Sequence, residues 1–164
     1  MHPNGELIAR FYTAFAERDA RRMAQCYHPD VEFSDEVFSD LRGARAGAMW
    51  EMLCARARDL RIEFRDVEAD AAAGRAHWEA WYTFSATGRR VHNTVEARFE
   101  FRDGSIFRHR DRFDFWAWAS QALGAKGWLL GWSGVVRTRV RAQAAASLDA
   151  FVRDAAKVPA DPRG

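Results

Sequence analysis

Near residue 60 the spacing of apolar side chains changes, and nothing else in the chain constrains its fold as strongly. Before that point apolar residues recur at helical spacing: Leu7, Ile8, Phe11, Tyr12 and Phe15, then Met23, Cys26 and Tyr27, then Ala46, Met49, Trp50, Leu53, Ala57 and Leu60. Asp19 is placed to cap the second of these helices, and "VEFSD" after "HPD" reads as a short strand. After residue 60 the period is two, and alternate residues of a strand face opposite sides. "RIEFRDVEA" alternates Ile62, Phe64 and Val67 with charges, with one irregularity. Ala76, Trp78, Ala80, Tyr82 and Phe84 share one face of the next strand, and Val91, Asn93, Val95, Ala97, Phe99 and Phe101 one face of the third. "RDG" closes a hairpin, and the fourth strand runs from Ser105 to about Trp116. Helices first and antiparallel strands second is an α+β pattern, with three N-terminal helices available to cover the sheet.

The length of 164 residues fits one domain with a sizeable core, assigned here to residues 1–134. "ALGAKGWLLGW" (residues 122–132) is a Gly-punctuated return whose glycines match no phosphate-binding fingerprint. Residues 135–164 read as a C-terminal helical extension ending in a frayed tail, "PADPRG". A net charge of +2 with interleaved signs argues against a nucleic-acid partner. No apolar run is long enough to span a membrane, so no membrane partner is expected and a cytoplasmic location is. Cys26 and Cys54 have no metal-ligand spacing and are expected as buried thiols; no metal and no cofactor are expected.

Polar groups interrupt three apolar strand faces. In "IFRHRDRF" (residues 106–113) Arg108, Arg110 and Arg112 take one face, and His109 and Asp111 share the other with Phe107 and Phe113. Asn93 breaks the row of Val91, Val95 and Ala97, and Tyr82 puts a hydroxyl between Ala80 and Phe84. Burying a carboxylate among aromatics is costly unless it is paired. One reading has His109, Asp111 and Asn93 satisfying one another in a filled core. The other has them converging on a pocket, where burial raises a carboxylate toward a useful acid or base. Asp35, which closes "VEFSD", is the second candidate carboxylate or an ordinary turn aspartate. Tyr12 reaches the same space from the first helix, and Trp50, Trp78 and Phe113 either line it or pack the core. His77, Glu79 and Trp81 lie on the opposite face, where a two-fold partner would pack.

The order helix, helix, "YHPDVEFSD", helix, then strands ending "DGSIFRHRDRFD" resembles the nuclear transport factor 2-like superfamily. That group holds SnoaL-like polyketide cyclases, ketosteroid isomerases and limonene-epoxide hydrolases. The resemblance spans about residues 5–132, most specifically "FYTAFAERDARRMAQCYHPDVEF" and "FEFRDGSIFRHRDRFDFW". It implies an α+β cone, in which a curved antiparallel sheet wraps a deep apolar pocket closed by the helices, and a homodimer through the sheet. By resemblance Asp35 falls at the isomerases' proton-abstracting aspartate, with Glu36 where a proline is usual. Their first-helix tyrosine falls at Phe11, with Tyr12 one position on, and their neutral aspartic acid has no counterpart on the Val95–Phe101 face. Asp111 matches an aspartate of the epoxide hydrolases, whose Arg and second Asp fall at Ala80 and Tyr82. His109 with Asp111 or Asp114 resembles the acid/base region of the cyclases.

The expectation is therefore a SnoaL-like protein holding a small hydrophobic molecule, with proton-transfer chemistry on a carbonyl compound. Asp35, His109 and Asp111 are its catalytic candidates. Tyr12, Trp50, Trp78, Tyr82, Asn93 and Phe113 are its substrate-binding candidates. The alternative is a non-catalytic ligand-binding or dimerisation module, and the fold itself does not choose between them.

Overall fold

A computed structural model describes residues 1–157, so the tail expected over "PADPRG" lies outside the described residues. The elements run α1 (Pro3–Ala16), α2 (Ala20–Gln25), β1 (Tyr27–Ser34), β2 (Leu41–Arg42), α3 (Ala44–Arg56), β3 (Arg61–Ala69), β4 (Ala73–Phe84), β5 (Arg89–Arg102), β6 (Ser105–Arg112), α4 (Phe115–Leu123), α5 (Ala125–Leu130) and α6 (Gly134–Ala156). Six strands form one curved, unclosed sheet in the order β2-β1-β6-β5-β4-β3. Every neighbouring pair is antiparallel except β1 and β6, which run parallel.

Local chemistry sets the element ends. Pro3 opens α1, where its missing N–H costs nothing, and the His2 side chain accepts the Asn4 N–H. The Asp19 side chain accepts the Arg22 N–H and caps α2. Asp103 and Gly104 both have positive φ, as a two-residue type I′ turn between β5 and β6 requires. The irregularity in β3 is a register shift between Arg65 and Glu68, where Asp66 has φ +56°. Leu7, Ile8, Phe11, Tyr12 and Phe15 of α1 are buried in the core that the helices form with the sheet. Gly74 of β4 lets α1 approach, since a Cβ there would stand 2.7 Å from Ile8 Cδ1.

Phe107, expected inward with His109 and Asp111, instead meets His28 and Arg102, because a register shift opposite Glu100 and Phe101 gives the buried place to Ile106. Two segments also differ from expectation. Tyr27, grouped with the second helix by its spacing, is the first residue of β1 and faces inward with Val31 and Phe33. The last strand stops at Arg112 rather than near Trp116, because Asp114 accepts the Ala117 N–H and starts α4. Phe115, Trp118, Ala119 and Ala122 then bury one helical face. The return over residues 122–132 contains α5, and Gly127 packs so closely on α4 that a Cβ would lie 1.9 Å from the Ala119 carbonyl oxygen.

Helix α6 lies against α3 and buries Leu148 completely. It is tied down by an Arg45–Asp149 ion pair at 2.6 Å and by Arg137 and Arg141, which reach the Glu36 carboxylate and carbonyl. Both cysteines are free and buried. No helix among the described residues is long and apolar enough to cross a membrane.

Candidate functional site

Between the inner face of the sheet and helices α3, α4 and α6 lies a cavity of about 850 Å³. Its wall is mostly apolar, with Trp50, Trp78, Phe113 and Trp118 among the lining residues. Asp35, Tyr82, Asn93 and Asp111 supply polar groups to it. A large apolar cavity with a few polar groups aimed into it is the usual form of a small-molecule site.

Behind the wall runs a buried hydrogen-bond chain. Trp50 Nε1–H donates to the Tyr27 hydroxyl at 2.7 Å, the hydroxyl lies 2.8 Å from His109 Nδ1, and His109 Nε2 lies 2.8 Å from Asp111 Oδ1. The indole is a donor only, so the Tyr27 oxygen accepts from it, and with a neutral imidazole the chain then has one direction. With its oxygen accepting from Trp50, Tyr27 donates to His109 Nδ1. His109 therefore carries its proton on Nε2 and donates to Asp111. Phe11, Phe33 and Phe99 edge or tilt against the imidazole, and Trp50 stacks over it. Phe33, His109 and Phe99 are direct cross-strand partners, so the pairing register itself builds the cage. Trp78 Nε1–H makes a longer 3.5 Å contact to the same Asp111 oxygen.

Asp35 sits at the cavity beside Asp111. The parallel β1–β6 register pairs Phe33 with His109 and Ser34 with Arg110, and Asp35 and Asp111 come one step further on. Asp35 Oδ1 accepts the Val37 and Phe38 N–H groups at 2.7 and 2.6 Å. Its Oδ2 bonds to no described residue and stays accessible. Burial pushes the Asp35 carboxyl up to about 7; the Phe38 and Val37 N–H bonds oppose this, and the nearby Asp111 and Glu36 charges add to it. The pair is thus divided by environment. Asp111 is the acceptor end of a fixed chain, and Asp35 is a half-buried group with one free oxygen that titrates near neutrality.

Tyr82 accepts the Trp118 Nε1–H at 2.9 Å, which leaves its own O–H free to donate into the cavity. Asn93 lines the cavity with no side-chain partner among the described residues. It does not join His109 and Asp111: Ala97, not Asn93, pairs with Asp111, and four residues of strand separate them by about 13 Å. Of the substrate-binding candidates, Trp50, Trp78, Tyr82, Asn93 and Phe113 line the cavity, and Tyr12 does not. Tyr12 is wholly buried between Phe64, Trp78 and Phe99, and its hydroxyl has no partner among the described residues. His109 is also wholly buried and reaches the cavity only through Asp111. Sequence reasoning missed Tyr27, although Tyr27, Val31 and Phe33 share the odd-numbered face of β1. It also missed Trp118 and the contribution of α6 to the wall. Among the described residues no three His, Cys, Asp or Glu side chains converge to hold a metal ion.

The outer face carries a second cluster. His77 lies 2.5 Å from Glu96 and 3.2 Å from Glu79, and His92 lies 2.6 Å from Glu79. Trp81 is stacked on His92 and covered by the Arg61 guanidinium.

Comparison with known proteins bears on the same region. The sequence model of the SnoaL-like domain matches residues 8–109. Among solved structures, TerC co-crystallised with polyporic acid superposes with a TM-score of 0.63 at 22% identity, over 74% of this chain and 98% of TerC. An LEH-like epoxide hydrolase of M. tuberculosis gives 0.58 at 22% identity, over 76% of this chain and 90% of its own. A protein provisionally described as a SnoaL-like polyketide cyclase from Jannaschia sp. CCS1 gives 0.66 at 14% identity, over 75% and 92%. At these identities the likeness is one of fold. No curated protein matches the chain.

Proposed function

The chain belongs to the SnoaL-like domain family, and from that premise we propose that its cavity binds a small hydrophobic carbonyl compound and moves a proton on it. The observation that carries the reading is Asp35: a carboxyl at an apolar cavity, with one free oxygen, pushed up to about 7 by burial. A base whose pKa lies near the working pH combines a usable deprotonated fraction with a strong pull on the proton. Asp35 Oδ2 takes the proton from the carbon next to the carbonyl. Tyr82 O–H and the Asn93 amide donate to the oxygen on which charge develops, and such aimed donors are worth most where water is excluded. Asp111 holds a negative charge beside Asp35 and raises its basicity. His109 and Tyr27 touch no substrate and act by fixing Asp111. Trp50, Trp78 and Phe113 pack the ligand body, and Tyr12 supports Trp78 from behind. A homodimer stays part of the proposal, and native mass spectrometry tests it by subunit count.

The test is α-proton exchange of 2-tetralone in deuterated buffer, followed by NMR. The protein is expected to accelerate exchange, and Asp35→Asn to reduce the acceleration by about 10²–10⁴-fold. Exchange no faster than in buffer, or rates untouched by both Asp35→Asn and Asp111→Asn, would sink the proposal. In that case the non-catalytic binding reading takes its place.

A further inference from the structure

The charges that line the cavity are sorted by depth. Four charged residues line it: Asp35, Asp111, Arg56 and Arg139. The two aspartates are covered, one half-buried and one buried, whereas both arginines are exposed to solvent. A residue that is exposed and also lines a cavity stands where the cavity meets solvent. Arg56 ends α3 and Arg139 lies early in α6, so the cavity's two solvent-exposed cations are supplied by different helices.

Neither guanidinium bonds to a described residue, although their neighbours do. Arg137 and Arg141 are spent on Glu36, and Arg45 on Asp149. Arg139 instead heads a stripe with Gln143 and Ser147, at i, i+4 and i+8, and all three line the cavity. Each carries a donor with no partner among the described residues. This stripe lies outside the residues that match the SnoaL-like domain, so it is a feature of this chain's own extension.

We propose that the mouth selects an anionic amphipath, namely an apolar ring body carrying a carboxylate or equivalent oxyanion, with Arg56 and Arg139 as the residues that set this preference. The inference rests on the reading of the cavity as the ligand site. Its logic is polarity. A cavity negative at depth and positive at its mouth orients a ligand that has one charged end. With the anion at the mouth, two guanidiniums receive it in charge-assisted hydrogen bonds. The ring body then lies along Trp50, Trp78 and Trp118, and its far end reaches Asp35. Reversed, the anion would sit against Asp35 and Asp111, where like charge and poor solvation both oppose it. The same two cations attract such ligands from solution.

The test compares 2-naphthoate with neutral 2-naphthamide by isothermal titration calorimetry on the full chain at pH 7.5. Naphthoate is expected to bind at least about tenfold more tightly. That preference is expected to shrink in 0.5 M NaCl and to vanish in the double variant Arg56→Gln/Arg139→Gln, with naphthamide affinity unchanged as the sign of an intact cavity. If the double variant misfolds, the preference of the unaltered chain and its salt dependence decide the matter. Equal affinity for the two probes overturns the proposal, as does no naphthoate binding at millimolar concentration or a preference that survives loss of both arginines. Asp35→Asn separates this proposal from the catalytic one: it removes exchange activity and leaves the naphthoate preference in place.

Discussion

Two histidine–carboxylate clusters lie on opposite faces of one sheet, and they differ in nearly everything except composition. Inside, His109 is wholly buried between Tyr27 and Asp111, and a donor-only indole sets the direction of the chain. Outside, His77 and His92 share Glu79, and His77 also meets Glu96; His77 itself is buried, but His92 and Glu96 stand open to water. The carboxylates nearest each cluster are pushed in opposite directions. Burial raises Asp35 to about 7, whereas the His92 and His77 hydrogen bonds lower Glu79. Residue type alone therefore says little about role. The side of the sheet decides whether a carboxylate is desolvated and poised or merely paired.

The largest effect separating the faces should be a pH dependence. The folded-state pKa of Asp35 lies above its unfolded value near 3.8, so the folded protein holds a proton that the unfolded chain releases. The contribution is fully favourable below about pH 4 and is lost as pH rises through about 7, costing about 4 kcal/mol at most. Urea unfolding at pH 5 and pH 8 checks this. Asp35→Asn should gain stability relative to the unaltered chain at pH 8 compared with pH 5. A difference that is the same at both pH values would show that Asp35 ionises like a solvated carboxylate.

Next in size comes the inner chain itself. Tyr27→Phe keeps the ring but removes the hydroxyl, leaving the Trp50 indole N–H and His109 Nδ1 buried without partners. Leaving buried polar groups unmatched costs about 1–3 kcal/mol. The urea midpoint should fall accordingly. If Tyr27→Phe is neutral, a water or a reorganised His109 replaces the hydroxyl and the chain is not a fixed device.

The inner cluster was only partly legible in the sequence, and the reason is pairing rather than propensity. Alternation in "IFRHRDRF" sends His109 and Asp111 inward because a strand has a period of two. That step is local, and the structure has the pair bonded to each other. The neighbourhood of Asp35 is not local. It lies beside Asp111 because β1 runs parallel to β6, a contact across 76 residues that no short pattern encodes. Tyr27 was hidden by ambiguity at a boundary, since its spacing fits the end of a helix as well as the start of a strand. The α6 side of the cavity was hidden for another reason. A helix facing a hollow rather than a core needs no strong apolar stripe, and its Arg139, Gln143 and Ser147 look like solvent residues.

The smallest effect should come from the outer cluster, and it is the sharpest check on the comparison. Glu79→Gln removes the carboxylate that both outer histidines share, yet pairs that reach solvent, as Glu79 does through His92, gain little because water and salt compete for them. The expected change in melting temperature is about 1 °C or less. Whatever change there is should have the opposite pH sign to that of Asp35. A carboxylate with a lowered pKa stabilises above its unfolded value near 4.5 and loses that contribution as pH falls through the folded value. Adding 0.5 M NaCl should erase the Glu79 effect and leave the Tyr27 effect in place, since buried hydrogen bonds are screened far less than exposed charges. A Glu79→Gln loss as large as that of Tyr27→Phe, unchanged by salt, would mean that the outer face is covered in solution, and the contrast between wet and dry clusters would fall with it.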